Sequence, residues 1–161
     1  MHELLQLARS AIEFELSNQK LTIPVSFKSS YNHDFGVYVI LKEKGVERGA
    51  FGFPETSLPL WKSLPQAAKA AAFNDPQFPP VTEMELRNLQ IEIYLLSKPI
   101  QFIGLGFELD DAIMIVSYQG EAILLPNLAK TKEEVLELLH EKLNITDLNS
   151  NYYKFKTEII K

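Results

Sequence analysis

The sequence predicts an α+β fold: a mostly antiparallel sheet flanked by helices, in one domain or two tightly packed lobes. Two observations carry the class. Amphipathic helical stretches alternate with β-rich hairpins, and no regular βαβ period joins them. The size fits one domain over residues 1–161, and roughly 70% of the extended chain's surface can be buried on folding.

Leu4, Leu5, Ala8, Ala11, Ile12 and Leu16 recur at helical spacing and predict an N-terminal amphipathic helix. Pro24 marks an extended approach to the first strand. Residues 36–42 (GVYVILK) are β-branched and aromatic, Lys44-Gly45 supplies a turn, and 47–53 return as the partner strand. Pro65 suits a first helical turn, and 66–73 (QAAKAAAF) have high helix propensity. The prolines of 74–80 (NDPQFPP) leave few backbone N–H groups, which predicts a loop. Thr82-Glu83-Met84-Glu85 reads as a capping box opening a short helix. Residues 89–97 predict a central strand, and 112–118 pair with 122–125 across Gln119-Gly120. Thr131-Lys132-Glu133-Glu134 is a second capping box, before a helix with Val135, Leu138, Leu139 and Leu143 on its apolar face. Residues 152–160 alternate and predict a final strand.

Composition excludes some chemistry. The chain has no cysteine, so disulfides, thiolate metal sites and a cysteine nucleophile are ruled out. The formal net charge of −5 disfavours a nucleic-acid partner. No apolar stretch approaches the ~20 residues of a membrane helix. The opening Met1-His2-Glu3-Leu4-Leu5-Gln6 has no basic n-region or unbroken apolar stretch. A cytoplasmic protein with no membrane partner is expected. His2, His33 and His140 are not spaced to converge on a metal and are expected at the surface, so neither a metal nor a cofactor is expected. GxxxxGK[ST], HExxH and GxSxG are absent. Gly104 and Gly106 form an isolated GxG without a dinucleotide fingerprint.

Three segments stand out. Arg48-Gly49-Ala50-Phe51-Gly52 is a strand with two glycines, which suggests a bulge or a close backbone approach to a ligand, and Arg48 brings a bidentate fork for an anion. The spacing alone favours the alternative, a tight strand crossing with Arg48 in a surface salt bridge. Asp75 in the proline loop can cap backbone amides or face a site. Glu92 lies within a central strand and needs a partner if buried, for which Arg48 is the expected one. Arg48, Gly49, Gly52, Asp75 and Glu92 are therefore the candidate ligand-binding residues, expected around one shared site.

In this order the segments resemble the AMMECR domain family. The family strand Leu-Arg-Gly-Cys-Ile-Gly corresponds to Glu47-Arg48-Gly49-Ala50-Phe51-Gly52. Its Ala-Phe-x-Asp-Pro-Arg-Phe-x-Pro corresponds to Ala72-Phe73-Asn74-Asp75-Pro76-Gln77-Phe78-Pro79-Pro80. Met84-Glu85-Leu86, 91–99 (IEIYLLSKP) and Leu124-Leu125-Pro126-Asn127-Leu128-Ala129 follow in register. The hallmark Cys is Ala50, and the Arg of Asp-Pro-Arg is Gln77. Leu109-Asp110-Asp111-Ala112 replaces a Gly-rich step, and the Trp expected before the following helix is missing. The resemblance implies a two-lobed α+β fold. It also implies association with a Memo-like protein and a radical-SAM protein in a modification system.

Two functional readings follow. In one, the chain is an enzyme whose small-molecule or modified-residue site lies in the cleft between the lobes: Arg48 holds an anionic group, such as that of a small anionic ligand, Glu92 is acid/base or salt-bridge anchor, and Asp75 orients a donor. In the other, the chain is a non-enzymatic module binding a protein partner, which the loss of the Cys and the Arg favours.

Overall fold

The computed structural model describes residues 1–144 and 149–161, which form two compact units. The first comprises residues 1–95 and 158–161, and the second residues 96–157.

The first unit opens with α1 (Glu3–Leu16), whose Leu4, Leu7, Ala8, Ala11 and Ile12 are buried, as their spacing dictates. His2 caps it, accepting the Leu4 N–H on Nδ1 at 3.2 Å. The expected extended approach after Pro24 is instead a short helix, α2 (Val25–Ser30), with Pro24 as its N-cap. Its sequence, VSFKSS, has weak helix formers, and Phe27 anchors it by packing against the core.

Strands β1 (Gly36–Glu43) and β2 (Val46–Phe53) form the expected antiparallel hairpin. Helix α3 (Leu60–Phe73) starts earlier than Pro65 suggests, because Pro59 is its N-cap and Pro65 lies inside it. Leu60, Leu64, Ala67, Ala68 and Ala71 already carried the helical spacing across that proline. Pro65 forfeits one hydrogen bond, to the carbonyl four residues back. Helix α4 (Glu83–Leu86) and strand β3 (Leu89–Leu96) follow, and β8 (Thr157–Ile160) completes a sheet of order β2-β1-β3-β8. Val37, Val39, Leu41, Ile91 and Ile93 pack with α1 and α3 in one core. Alternation therefore turns Tyr38, Lys42, Glu92 and Tyr94 to the sheet's other face.

The second unit contains β4 (Ile100–Phe102), β5 (Ala112–Ser117), β6 (Gly120–Leu124), α5 (Lys132–Leu143) and β7 (Asn151–Phe155). Its sheet runs β4-β7-β5-β6, all neighbours antiparallel. Phe102, Phe107, Ile113, Ile115, Leu124, Val135 and Leu139 form its core. Thr131 caps α5 by accepting the Glu134 N–H, but the Glu134 carboxylate reaches the Lys130 N–H rather than that of Thr131.

The expected single strand over 152–160 is two strands in two sheets. Lys156 is the break: its N–H donates to Ser97 Oγ and its carbonyl accepts the Ser97 N–H, both at 2.9 Å. The Lys156 ammonium also meets Asp111 Oδ1 at 2.8 Å, neutralising a carboxylate only 2% exposed. Among the described residues no helix is long and apolar enough to cross a membrane.

Candidate functional site

The two glycines beside Arg48 mark both a bulge and a close approach. Leu41 pairs with Gly49 but Lys42 pairs with Glu47, so Arg48 is the extra residue of a β-bulge. A Cβ on Gly49 would collide with the Ala71 carbonyl of α3, and one on Gly52 with the Tyr38 ring. Gly49 and the alanines of α3 thus let helix and sheet meet closely.

The bulge delivers Arg48 to residues 78–85. Its Nε donates to Glu85 Oε1 at 2.8 Å and Nη2 to Oε2 at 3.3 Å. Nη1 donates to the Pro79 carbonyl at 3.0 Å, Nη2 also reaches that of Pro80 at 3.5 Å, and the Phe78 ring lies 5.9 Å away. The Glu85 pKa is pulled down to about 2, first by the Arg48 hydrogen bonds and then by the Thr82 N–H, which donates to Oε2 at 2.8 Å. The Thr82/Glu85 capping box read from the sequence is present, and the same carboxylate clamps Arg48.

Asp75 fastens the loop to the same strand. Its Oδ2 accepts the Ala50 N–H and its Oδ1 accepts the Gln77 N–H, each at 2.8 Å. Strand β2 is an edge strand, so Asp75 satisfies a backbone donor that no neighbouring strand reaches. Nearby, Tyr38 has its phenol pKa raised by burial and by the charges of Glu47 and Asp75.

Glu92 does not join them. The expected Arg48–Glu92 pair is replaced by Lys42–Glu92 at 2.9 Å, because β1 lies between the strands that carry Arg48 and Glu92. Tyr94 Oη donates to Glu92 Oε2 at 3.0 Å, and Lys161 stands 3.4 Å from Oε1. Burial raises the Glu92 pKa, but Lys42, Tyr94 and Lys161 outweigh it and the net shift is downward. Burial and Glu92 push Tyr94 up to about 12. At neutral pH this is an ionised carboxylate beside a neutral phenol, an arrangement that suits a salt-bridge anchor better than an acid/base pair.

Arg48, Gly49, Gly52 and Asp75 therefore share one locality, and Glu92 belongs to another. Sequence reasoning missed Glu85 as the partner of Arg48, because its role in the capping box already accounted for it. It also missed Lys42, Tyr94 and Lys161 around Glu92. Of the histidines expected at the surface, His140 is half-buried and its Nε2 lies 2.6 Å from Tyr152 Oη. No group of three or more His, Asp or Glu among the described residues is arranged to hold a metal.

The chain is similar to protein Mbar_A1807 of Methanosarcina barkeri, 35% identical over 77% of this chain and 67% of that protein. It is similar to protein NEQ441 of Nanoarchaeum equitans, 36% identical over 62% of this chain and 56% of that one. It spans about half the length of the first curated relatives it matches. The crystal structure of PH0010 from Pyrococcus horikoshii superposes with a TM-score of 0.88 at 28% identity, covering 97% of this chain and 88% of that one. The segments around Arg48, Asp75 and Glu92 lie inside a family match over residues 5–160, and the chain belongs to the AMMECR1 family.

Proposed function

We propose that the protein is a binding component that presents the segment 74–85 as a preformed surface to a protein partner. The occupancy of Arg48 carries this reading. Four of its five N–H donors are engaged by Glu85, Pro79 and Pro80, and its side chain is 12% exposed. Asp75 is likewise engaged through both oxygens. These side chains shape and stiffen a surface rather than await a substrate. The surface carries apolar groups: Met84 is 86% exposed, and Pro76, Pro79 and Pro80 of the same segment are exposed too. Ala50 and Gln77, where the family has Cys and Arg, agree with a binding role over a catalytic one. A Memo-like or radical-SAM protein, the association the family resemblance implies, is the proposed partner.

The test is calorimetry between the full chain and a purified Memo-like protein, repeated with a radical-SAM protein. Met84→Asp leaves the Arg48 clamp untouched and is expected to weaken the complex at least about tenfold, as loss of an apolar anchor does. Asp75→Ala is expected to weaken it by loosening the loop. No complex with either protein, or a complex indifferent to both substitutions, refutes the proposal.

A further inference from the structure

Arg48 has its anion, Glu85, within the chain. Another group of cations has none. Trp61, the sole tryptophan, sits in the first turn of α3. The Lys28 ammonium lies 5.0 Å from its ring centroid and the Lys62 ammonium 5.2 Å. Trp61 and Lys62 line a cavity of about 400 Å³ framed by the C-terminal half of α1, the segment 19–23 and the start of α3. Lys20 and Lys69 line it too. The opposing charge is Glu15, which pairs with Lys69 at 3.4 Å where both side chains are about half exposed. Among the described residues, Lys20, Lys28 and Lys62 form no ion pair. Asn18 shapes the place: its left-handed backbone, φ 54°, turns the chain out of α1 into 19–23.

This clustering runs against the charge of the molecule. A chain of net charge −5 sets two ammoniums without ion-pair partners, Lys28 and Lys62, over one indole, and a third, Lys20, in the wall of the same cavity. Like charges held together raise one another's free energy, and an anion bound among them relieves it. Phe14, Leu21, Ile23, Pro65 and the Trp61 ring make the wall largely apolar, with Gln19 and Gln66 as its uncharged polar groups. A volume of this size suits a small molecule, and an apolar wall with few convergent charges is how such sites fix orientation.

We propose that this cavity binds a planar aromatic small molecule bearing a negatively charged phosphate or carboxylate. The ring stacks among Trp61, Phe14 and Pro65, and the anion draws on Lys20 and Lys62. Lys28, on the Trp61 ring, adds to the positive field. None of these residues belongs to the Arg48 clamp or the segment 74–85, so this site and the partner surface stand or fall separately.

Trp61 reports on its own cavity. The full chain is titrated with adenosine monophosphate, naphthoate, neutral adenosine and inorganic phosphate, following tryptophan emission excited at the red edge of its absorption, with calorimetry on the same samples. A saturable change with adenosine monophosphate or naphthoate is expected, and which of the two binds tells phosphate from carboxylate. Adenosine and inorganic phosphate are expected to bind at least tenfold more weakly than the better probe. Lys20→Gln and Lys62→Gln, each confirmed as folded by circular dichroism, are expected to weaken the better probe at least tenfold. Lys98→Gln, exposed and outside the cavity, is expected to leave it unchanged. No saturable binding by either aromatic anion overturns the proposal. So does equal binding of adenosine or phosphate, or affinity that survives both lysine substitutions.

Discussion

Glu85 grips Arg48 through both carboxylate oxygens, Nε–Oε1 at 2.8 Å and Nη2–Oε2 at 3.3 Å, from a helix of only four residues. The helix is too short to hold its own shape. The clamp and the cap together fix it against the β-bulge.

The clamp makes folding sensitive to acid. The Glu85 pKa falls from 4.5 to about 2 in the folded chain. A lowered folded pKa adds stability that is fully present above 4.5 and is lost as pH drops toward about 2. Glu85 is one-quarter exposed, so solvent screening reduces the gain. Glu85→Gln is expected to cost about 1–2 kcal/mol at neutral pH and to flatten the stability profile through that acidic window. Urea melts at neutral pH and at about pH 3 measure both. An unchanged acid limb would show the clamp to be energetically silent.

The two hallmark glycines are predicted to differ. An added methyl at Gly49 meets backbone, the Ala71 carbonyl, whereas at Gly52 it meets the Tyr38 ring down to its root at Cγ, so the whole side chain must shift. Gly49→Ala is expected to cost about 3 kcal/mol, with Gly52→Ala nearer about 2 kcal/mol. Thermal or urea unfolding of the two variants compares them, and the reverse order would contradict the close approach of α3 to β2.

These contrasts show what a sequence discloses. The β1–β2 hairpin is legible because 36–42 favour strand locally and Lys44-Gly45 favours the turn. Both turn residues take positive φ. The glycines announce a bulge and a close contact without naming the contacting partner. The start of α3 is hidden by Pro65, which imitates a helix opener while lying inside the helix. The break at Lys156 is invisible because alternation continues through it, and only a tertiary bond to Ser97 makes the chain change sheets. Strand order is nowhere in the local pattern, and so Arg48 and Glu92 read as neighbours although β1 separates them.

Asp75 offers a local test of the loop. Its Oδ2 is the acceptor for the Ala50 N–H on the edge of β2. Asp75→Ala strips the half-buried donor and is expected to cost about 1–2 kcal/mol. Asp75→Asn keeps an acceptor and is expected to cost less. Hydrogen exchange at Ala50 should quicken in the alanine variant and much less in the asparagine one. Equal exchange in all three proteins would mean the bond does not protect that edge.

The Glu92 network gives the sharpest test of pairing. Glu92 is 8% exposed, so removing its nearest cation leaves a buried charge held by Tyr94 and the longer Lys161 contact. Lys42→Met is expected to cost about 2–4 kcal/mol, toward the range for breaking a buried pair. Glu92→Gln keeps a hydrogen-bonding group for Tyr94 and is expected to cost less, about 1–2 kcal/mol. The net lowering of the Glu92 pKa means its contribution is present above the ordinary carboxylate range and fades as pH falls below it. A double-mutant cycle then separates the two candidate partners of Glu92. Lys42→Met and Glu92→Gln should couple by more than about 1 kcal/mol, since the two side chains touch. Arg48→Ala and Glu92→Gln should add within about 0.5 kcal/mol, since Arg48 is held by Glu85 and a strand lies between. Strong coupling in the second cycle and none in the first would restore the pairing read from the sequence and undo the one described by the structure.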